Sequence, residues 1–219
     1  MIIGLVMAGA IYAAAAAPVA VSGALPPDIH PDSMSRLPVI DRETLDAEGK
    51  RVYDVVRGRN ATLGKTGPAA VTMYSPGVAE PVNNLNQYLR KTVVGPRFFE
   101  LCALIAAREF EQPYEWSGHE PAGLRAGLEQ SVIDVVKFNR EPTGLSQKDT
   151  TIILAGRSLL RDHKLSSEQW AKLVELFGTQ GAVEIVSTIG DYAMAAIILT
   201  AVDQRPPDGR VSLLPSTAK

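Results

Sequence analysis

From residue 41 to residue 201, apolar side chains recur at helical spacing, and Gly, Pro and Ser cut the pattern into separate segments. No run of alternating β-branched residues is long enough to build a sheet, so the sequence predicts an all-α fold. Residues 41–58 carry Leu45, Val52, Val55 and Val56, with Asp41 as N-cap. A loop at Gly64-Lys65-Thr66-Gly67-Pro68, a short apolar stretch at 71–74 and the breaker Ser75-Pro76-Gly77 follow. Residues 79–92 read as a polar-faced helix. Gly95-Pro96 opens a long apolar helix at 97–110. Gln112-Pro113 restarts the next, with proline in the first turn, where its missing N–H costs nothing. Pro121 falls inside that helix and leaves the Ser117 carbonyl without its donor. Further helices are predicted at 129–138, from a Ser146 cap to 162, from a Ser166 or Ser167 cap to 177, and at 180–201.

The length suits one domain with its own core, placed at 39–205. Residues 25–38, rich in proline, read as an extended linker with a solvated His30, and 206–219 as a loose C-terminal tail. Residues 1–24 contain no charged side chain and are dominated by alanine and aliphatics. They read as a secretory signal peptide, which places the mature protein in the periplasm or outside the cell. An uncleaved membrane anchor is the alternative, since the apolar length is near the roughly 20 residues a span requires. Basic and acidic residues nearly balance, 22 against 24, and no basic block stands out, which argues against a nucleic-acid partner. The single cysteine, Cys102, lies in an apolar run and reads as a small core residue. Alone it cannot build a disulfide framework, a Cys-x-x-Cys redox pair or a cysteine zinc site within one chain.

The chemistry-bearing stretch is Tyr114-Glu115-Trp116-Ser117-Gly118-His119. On a helix Glu115 and His119 share a face one turn apart, within reach of a hydrogen bond. A carboxylate in that position holds an imidazole in one tautomer and raises its pKa. The spacing alone is common on surface helices.

A wider pattern surrounds it. Arg97-Phe98-Phe99-Glu100-Leu101 with Ala106-Ala107-Arg108, then Tyr114-Glu115-Trp116 with His119, Gly127-Leu128, Asp162-His163-Lys164, Trp170 and Gly190-Asp191-Tyr192 together resemble the carboxymuconolactone decarboxylase family, in the alkylhydroperoxidase D-like superfamily. The resemblance runs from about residue 38 to residue 203. It implies an all-helical bundle, a homo-oligomer (trimer or hexamer) with sites near subunit interfaces, and no metal or other cofactor. In the peroxidase branch a Cys-x-x-Cys pair precedes the histidine and a glutamate of the preceding helix relays protons. By spacing the cysteine positions here are Gln112 and Glu115, the relay glutamate is Glu100 and the histidine is His119. Thiol-based peroxide reduction therefore has no nucleophile, and a peroxidase label would rest on family alone.

Glu100, Glu115 and His119 remain as candidate catalytic residues. Such a set can donate a proton to a carbanion or enolate and take one from an acidic carbon. The expected activity is that of a carboxymuconolactone decarboxylase-like lyase: decarboxylation, isomerisation or lactone chemistry on a small carboxylated or lactone-type substrate. Tyr114, Trp116 and Tyr74 are candidates for lining the substrate pocket, and Arg97, with Arg108 as a second choice, for holding a substrate carboxylate. Two other readings stand beside this one: a hydrogen-bonded network that ties two helices together in a non-catalytic binding or scaffold protein, and a divalent-metal site. The segment 104–108 is also echoed at 153–157, and Trp116 at Trp170, as two copies of a helical motif would give. Chance likeness between apolar helices explains that echo equally well.

Overall fold

The computed structural model describes residues 25–59, 64–207 and 214–216. The segment read as a signal peptide or anchor lies outside the described residues. Within them are eight α-helices: α1 (Ala47–Arg59), α2 (Pro68–Thr72), α3 (Pro76–Leu89), α4 (Gly95–Glu109), α5 (Pro113–Arg125), α6 (Gln130–Lys137), α7 (Gln147–Arg157) and α8 (Ser167–Ala201). The described residues contain no strand, only an isolated bridge between His30 and Ser35. The fold is all-α, as the periodicity predicts.

The centre is α4. Every residue from Phe99 to Arg108 is buried, which is the signature of a helix enclosed on all sides rather than laid on a core. It packs against α5, α6, α7 and α8, while α3 bridges α1 and α8. Local chemistry starts α7 and α8 where the sequence predicts. Ser166 and Gln169 form a reciprocal capping box at the start of α8, and the Ser146 hydroxyl accepts the Asp149 N–H at the start of α7. Asp41 caps only a short 3₁₀ turn, Arg42–Thr44, and α1 begins after it.

The long α8 is two helices joined at Gly178, whose φ of 72° suits a residue without a side chain. By length and composition it is apolar enough to cross a membrane, yet half of its most apolar stretch is buried inside the protein. It also carries the buried acids Glu184 and Asp191, as a core helix can when partners are supplied.

Two segments outside the predicted helical domain make contacts with it. Residues 25–38 form a strap against the end of α8: Arg36 N–H donates to Val202 O, Gln204 Nε2 donates to Ser33 O, and Ile29, Ser33 and Ser35 are buried. Proline-rich composition announced an extended chain, and paired backbone groups now dock that chain. In the tail, Pro215 O accepts from Arg108 Nη1 at 2.7 Å. Arg108 is buried and must place its donors. It also reaches Lys137 O, while Arg157, its counterpart in the sequence echo, donates to Val135 O and Arg140 O. Both arginines thus hold carbonyls at the end of α6.

Candidate active site

The site forms where α5 crosses α4. Gln112 is the N-cap of α5: its side-chain oxygen accepts Tyr114 N–H, and its Nε2 donates to Thr200 Oγ1 of α8 at 3.0 Å. Where the resemblance places a sulfur, the chain has a helix cap. Gly123 allows the helices to approach: a Cβ there would lie 3.2 Å from Leu128 Cδ2 and 3.6 Å from Glu100 Cβ. One turn earlier His119 faces α4.

Glu100, His119 and Glu115 form one line. His119 Nδ1 lies 2.6 Å from Glu100 Oε2, and Nε2 lies 3.2 Å from Glu115 Oε2. All three are buried. Burial is the largest single influence on His119 and opposes its charge. The hydrogen bonds and charges of Glu100 and Glu115 together outweigh it and raise the pKa to about 9. At neutral pH the ring is an imidazolium held between two carboxylates. Both nitrogens are then donors, Nδ1 toward Glu100 and Nε2 toward Glu115.

Around the ring, Tyr192 of α8 packs edge-on at 4.6 Å and also meets Phe99 at 5.5 Å. The Tyr192 hydroxyl accepts from Arg90 Nη2 at 2.9 Å. Arg90 stacks over Phe99, donates to Asn86 Oδ1, and holds Nη1 3.9 Å from Glu100 Oε1. Asn86 Nδ2 in turn donates to Asp191 Oδ2 at 2.8 Å. Burial pushes the Asp191 carboxyl above the usual range, and the Asn86 hydrogen bond and Arg90 only partly offset that.

Beside this network lies a cavity of about 200 Å³, lined by Glu115, His119 and Tyr114 of α5, by Asn83 and Asn86 of α3 and its C-cap Arg90, and by Asp191 and Tyr192 of α8. Among the described residues, two buried polar atoms of the lining side chains have no hydrogen-bond partner: Glu115 Oε1 and Asn83 Nδ2.

Of the residues predicted from sequence, Glu100, Glu115, His119 and Tyr114 come together here. Tyr114 lines the cavity, with its hydroxyl 2.9 Å from Thr66 Oγ1. Four others do not. Trp116 is wholly buried on another face of α5, where its Nε1 donates to Glu120. Tyr74 lies on a second cavity of about 300 Å³ among the strap, α1 and α2, and donates to Pro38 O. Arg97 pairs with Asp149 and Glu129 and donates to Gly127 O, and it does not line the cavity. Arg108 is committed to the end of α6, as described above. Cys102 is completely buried, and burial pushes its thiol well above the usual range, so it is no substitute nucleophile. The reading missed Asn83, Asn86 and Arg90. Their spacing of three and four residues put them on one face of α3, but a polar face reads as solvent-facing unless another helix is known to cover it.

The fold is that of the alkylhydroperoxidase D-like proteins. A solved structure described as the alkylhydroperoxidase AhpD core, an uncharacterized peroxidase-related protein from Ralstonia eutropha JMP134, matches this chain with a TM-score of 0.65; the match covers 85% of this chain and 100% of that one at 14% sequence identity. No protein-family model matches the sequence, and no curated protein matches it.

Proposed function

We propose that the protein is an acid–base catalyst, independent of any cofactor, that acts on a small carboxylated or lactone-type substrate by decarboxylation, isomerisation or lactone chemistry. One observation carries this reading: the line Glu100–His119–Glu115 ends in an unpartnered carboxylate oxygen on a side chain that lines a cavity. A network that served only to tie helices together would close its hydrogen bonds, because an open buried acceptor costs about 1–3 kcal/mol. That favours catalysis over a non-catalytic scaffold of the same fold.

The roles follow from the charge state. Glu115 is the base: its side chain lines the cavity and its Oε1 makes no hydrogen bond. His119, as imidazolium, donates Nε2–H to Glu115 Oε2 and by its positive charge stabilises the negative charge that develops on the substrate. Glu100 holds Nδ1 and keeps the ring protonated and oriented. Tyr192 and Phe99 wall the ring against water. Export and assembly as a homo-oligomer, implied by the N-terminal segment and by the family resemblance, belong to the same proposal.

The test is a panel of lactones and β-keto acids, including 4-carboxymuconolactone, read by carbon dioxide release and ultraviolet change. Glu115→Gln keeps an acceptor for the ring but removes the base, so turnover should fall by at least about 100-fold, well beyond any loss of folded protein. No turnover by the parent across the panel, or full turnover by the variant, overturns the proposal.

A further inference from the structure

A carboxylated substrate needs a cation at the cavity, and the two arginines that the sequence offers for it, Arg97 and Arg108, are committed elsewhere. Arg90 is placed differently. It is the C-cap of α3, it lines the cavity, and its side chain is 40% exposed.

Three contacts fix its guanidinium. Nε donates to Asn86 Oδ1 at 2.9 Å, one turn back along the same helix. Nη2 donates to the Tyr192 hydroxyl at 2.9 Å, across to α8. Cζ lies over the Phe99 ring of α4, 4.7 Å from its centroid. Nη1 makes no hydrogen bond. Glu100 Oε1, 3.9 Å away, attracts its charge but is beyond hydrogen-bond reach. Such a group has already given up much of its rotamer freedom and still holds two N–H donors for a ligand.

The other charges on the wall are Glu115, His119 and Asp191. Each acid has a donor of its own: His119 Nε2 for Glu115, and Asn86 Nδ2 for Asp191. His119 is shared between Glu115 and Glu100, so among the lining residues described Arg90 is the cation with N–H groups to spare. Val82, Met194, Ala195 and Ile198 give the same cavity an apolar wall. A matching ligand has one anionic end and an apolar body. The volume of about 200 Å³ is smaller than the roughly 300–1,000 Å³ of pockets for drug-sized ligands, so that body is small.

Resting on the acid–base reading above, we infer that Arg90 is the substrate-binding residue that sets specificity at this site: its Nη1 holds the carboxylate of a small acid, and so brings the apolar body of that acid beside Glu115 and His119. The hydrogen bonds formed there are charge-assisted, the stronger kind. Asn86, Phe99 and Tyr192 act through Arg90 as positioning residues.

The experiment measures binding, independently of turnover. The full chain is titrated against 5-oxotetrahydrofuran-3-carboxylate and against its methyl ester, which keeps the ring and removes the charge, with saturation-transfer NMR as the readout. The acid is expected to bind more tightly than the ester. Arg90→Gln should weaken the acid by about 10-fold or more, the loss of one charge-assisted hydrogen bond, and leave the ester unchanged. Arg90→Lys, which keeps the charge without the fork, should recover part of the loss. If Arg90 only tied α3 to α8, both variants would weaken acid and ester alike, in step with a lower melting temperature, and that result overturns the inference. So does an ester that binds as tightly as the acid, or no binding of either probe. An acid held through Arg90 in a protein that turns over nothing in the lactone panel leaves the anion site standing and overturns the acid–base reading. Turnover of carboxylated substrates that requires Glu115 and has the same KM in Arg90→Gln overturns the role of Arg90 alone.

Discussion

The ionisation of His119 should be visible in the stability of the whole protein. Its pKa is about 9 when folded, against 6.5 for an unperturbed histidine. A group whose pKa is raised on folding stabilises the native state fully below its unfolded value and ceases to do so as pH passes its folded value. The window here runs from about pH 6.5 to about pH 9, and the gap corresponds to about 3 kcal/mol. For a chain of this size that is a fall in melting temperature of about 6–12 °C. Other groups titrate in the same range, so the measurement is a difference: urea unfolding at a series of pH values from 6 to 10, for the parent and for His119→Gln. The parent's advantage should shrink by about 3 kcal/mol across the window. With only three histidines in the chain, and His30 and His163 exposed, the ring can also be followed directly by NMR. A stability difference that is flat from pH 6 to pH 10 would refute the account of an imidazolium clamped between Glu100 and Glu115.

Asp191 has the same sign of pH dependence, in an acidic window. Burial raises its pKa above 3.8, so the folded state loses stability as pH rises past that value; Asp191→Asn, which can still accept from Asn86, should unfold at higher urea than the parent at pH 7 and show no gain near pH 3. Gly156→Ala should destabilise by about 1–3 kcal/mol in urea unfolding, despite the better helix propensity of alanine, because the new Cβ would sit 2.7 Å from Cγ2 of Ile105, a stiff β-branched side chain. Cys102→Ala should cost about 1 kcal/mol of stability and leave turnover in the lactone panel unchanged; a loss of turnover greater than the loss of folded protein would return a thiol to the mechanism.

What the sequence could disclose of this site follows from the geometry of a single helix. Glu115 and His119 are four residues apart, so their contact is local and legible. Trp116 is adjacent to Glu115 in sequence, which is why it was placed at the site; on a helix, adjacent residues diverge by about 100°, and Trp116 instead makes its own one-turn pair with Glu120 in the core. Arg97 is one turn from Glu100 along α4, but Asp149 and Glu129 capture it at the helix end. Contacts between helices carry no such spacing rule. Glu100 was found through the family resemblance, not through periodicity, and Asn83, Asn86 and Arg90 were not found at all. The link between the two kinds of information is Gly123. In the sequence it is a glycine inside a helix, nominally a cost of about 1 kcal/mol. In the fold it lets α5 approach α4 closely, one turn beyond His119, where Glu100 waits. The same argument gives the missed residues their meaning. An amide at position 83 is an ordinary surface choice until α3 is laid against α8, and only then does its side chain line the cavity beside His119.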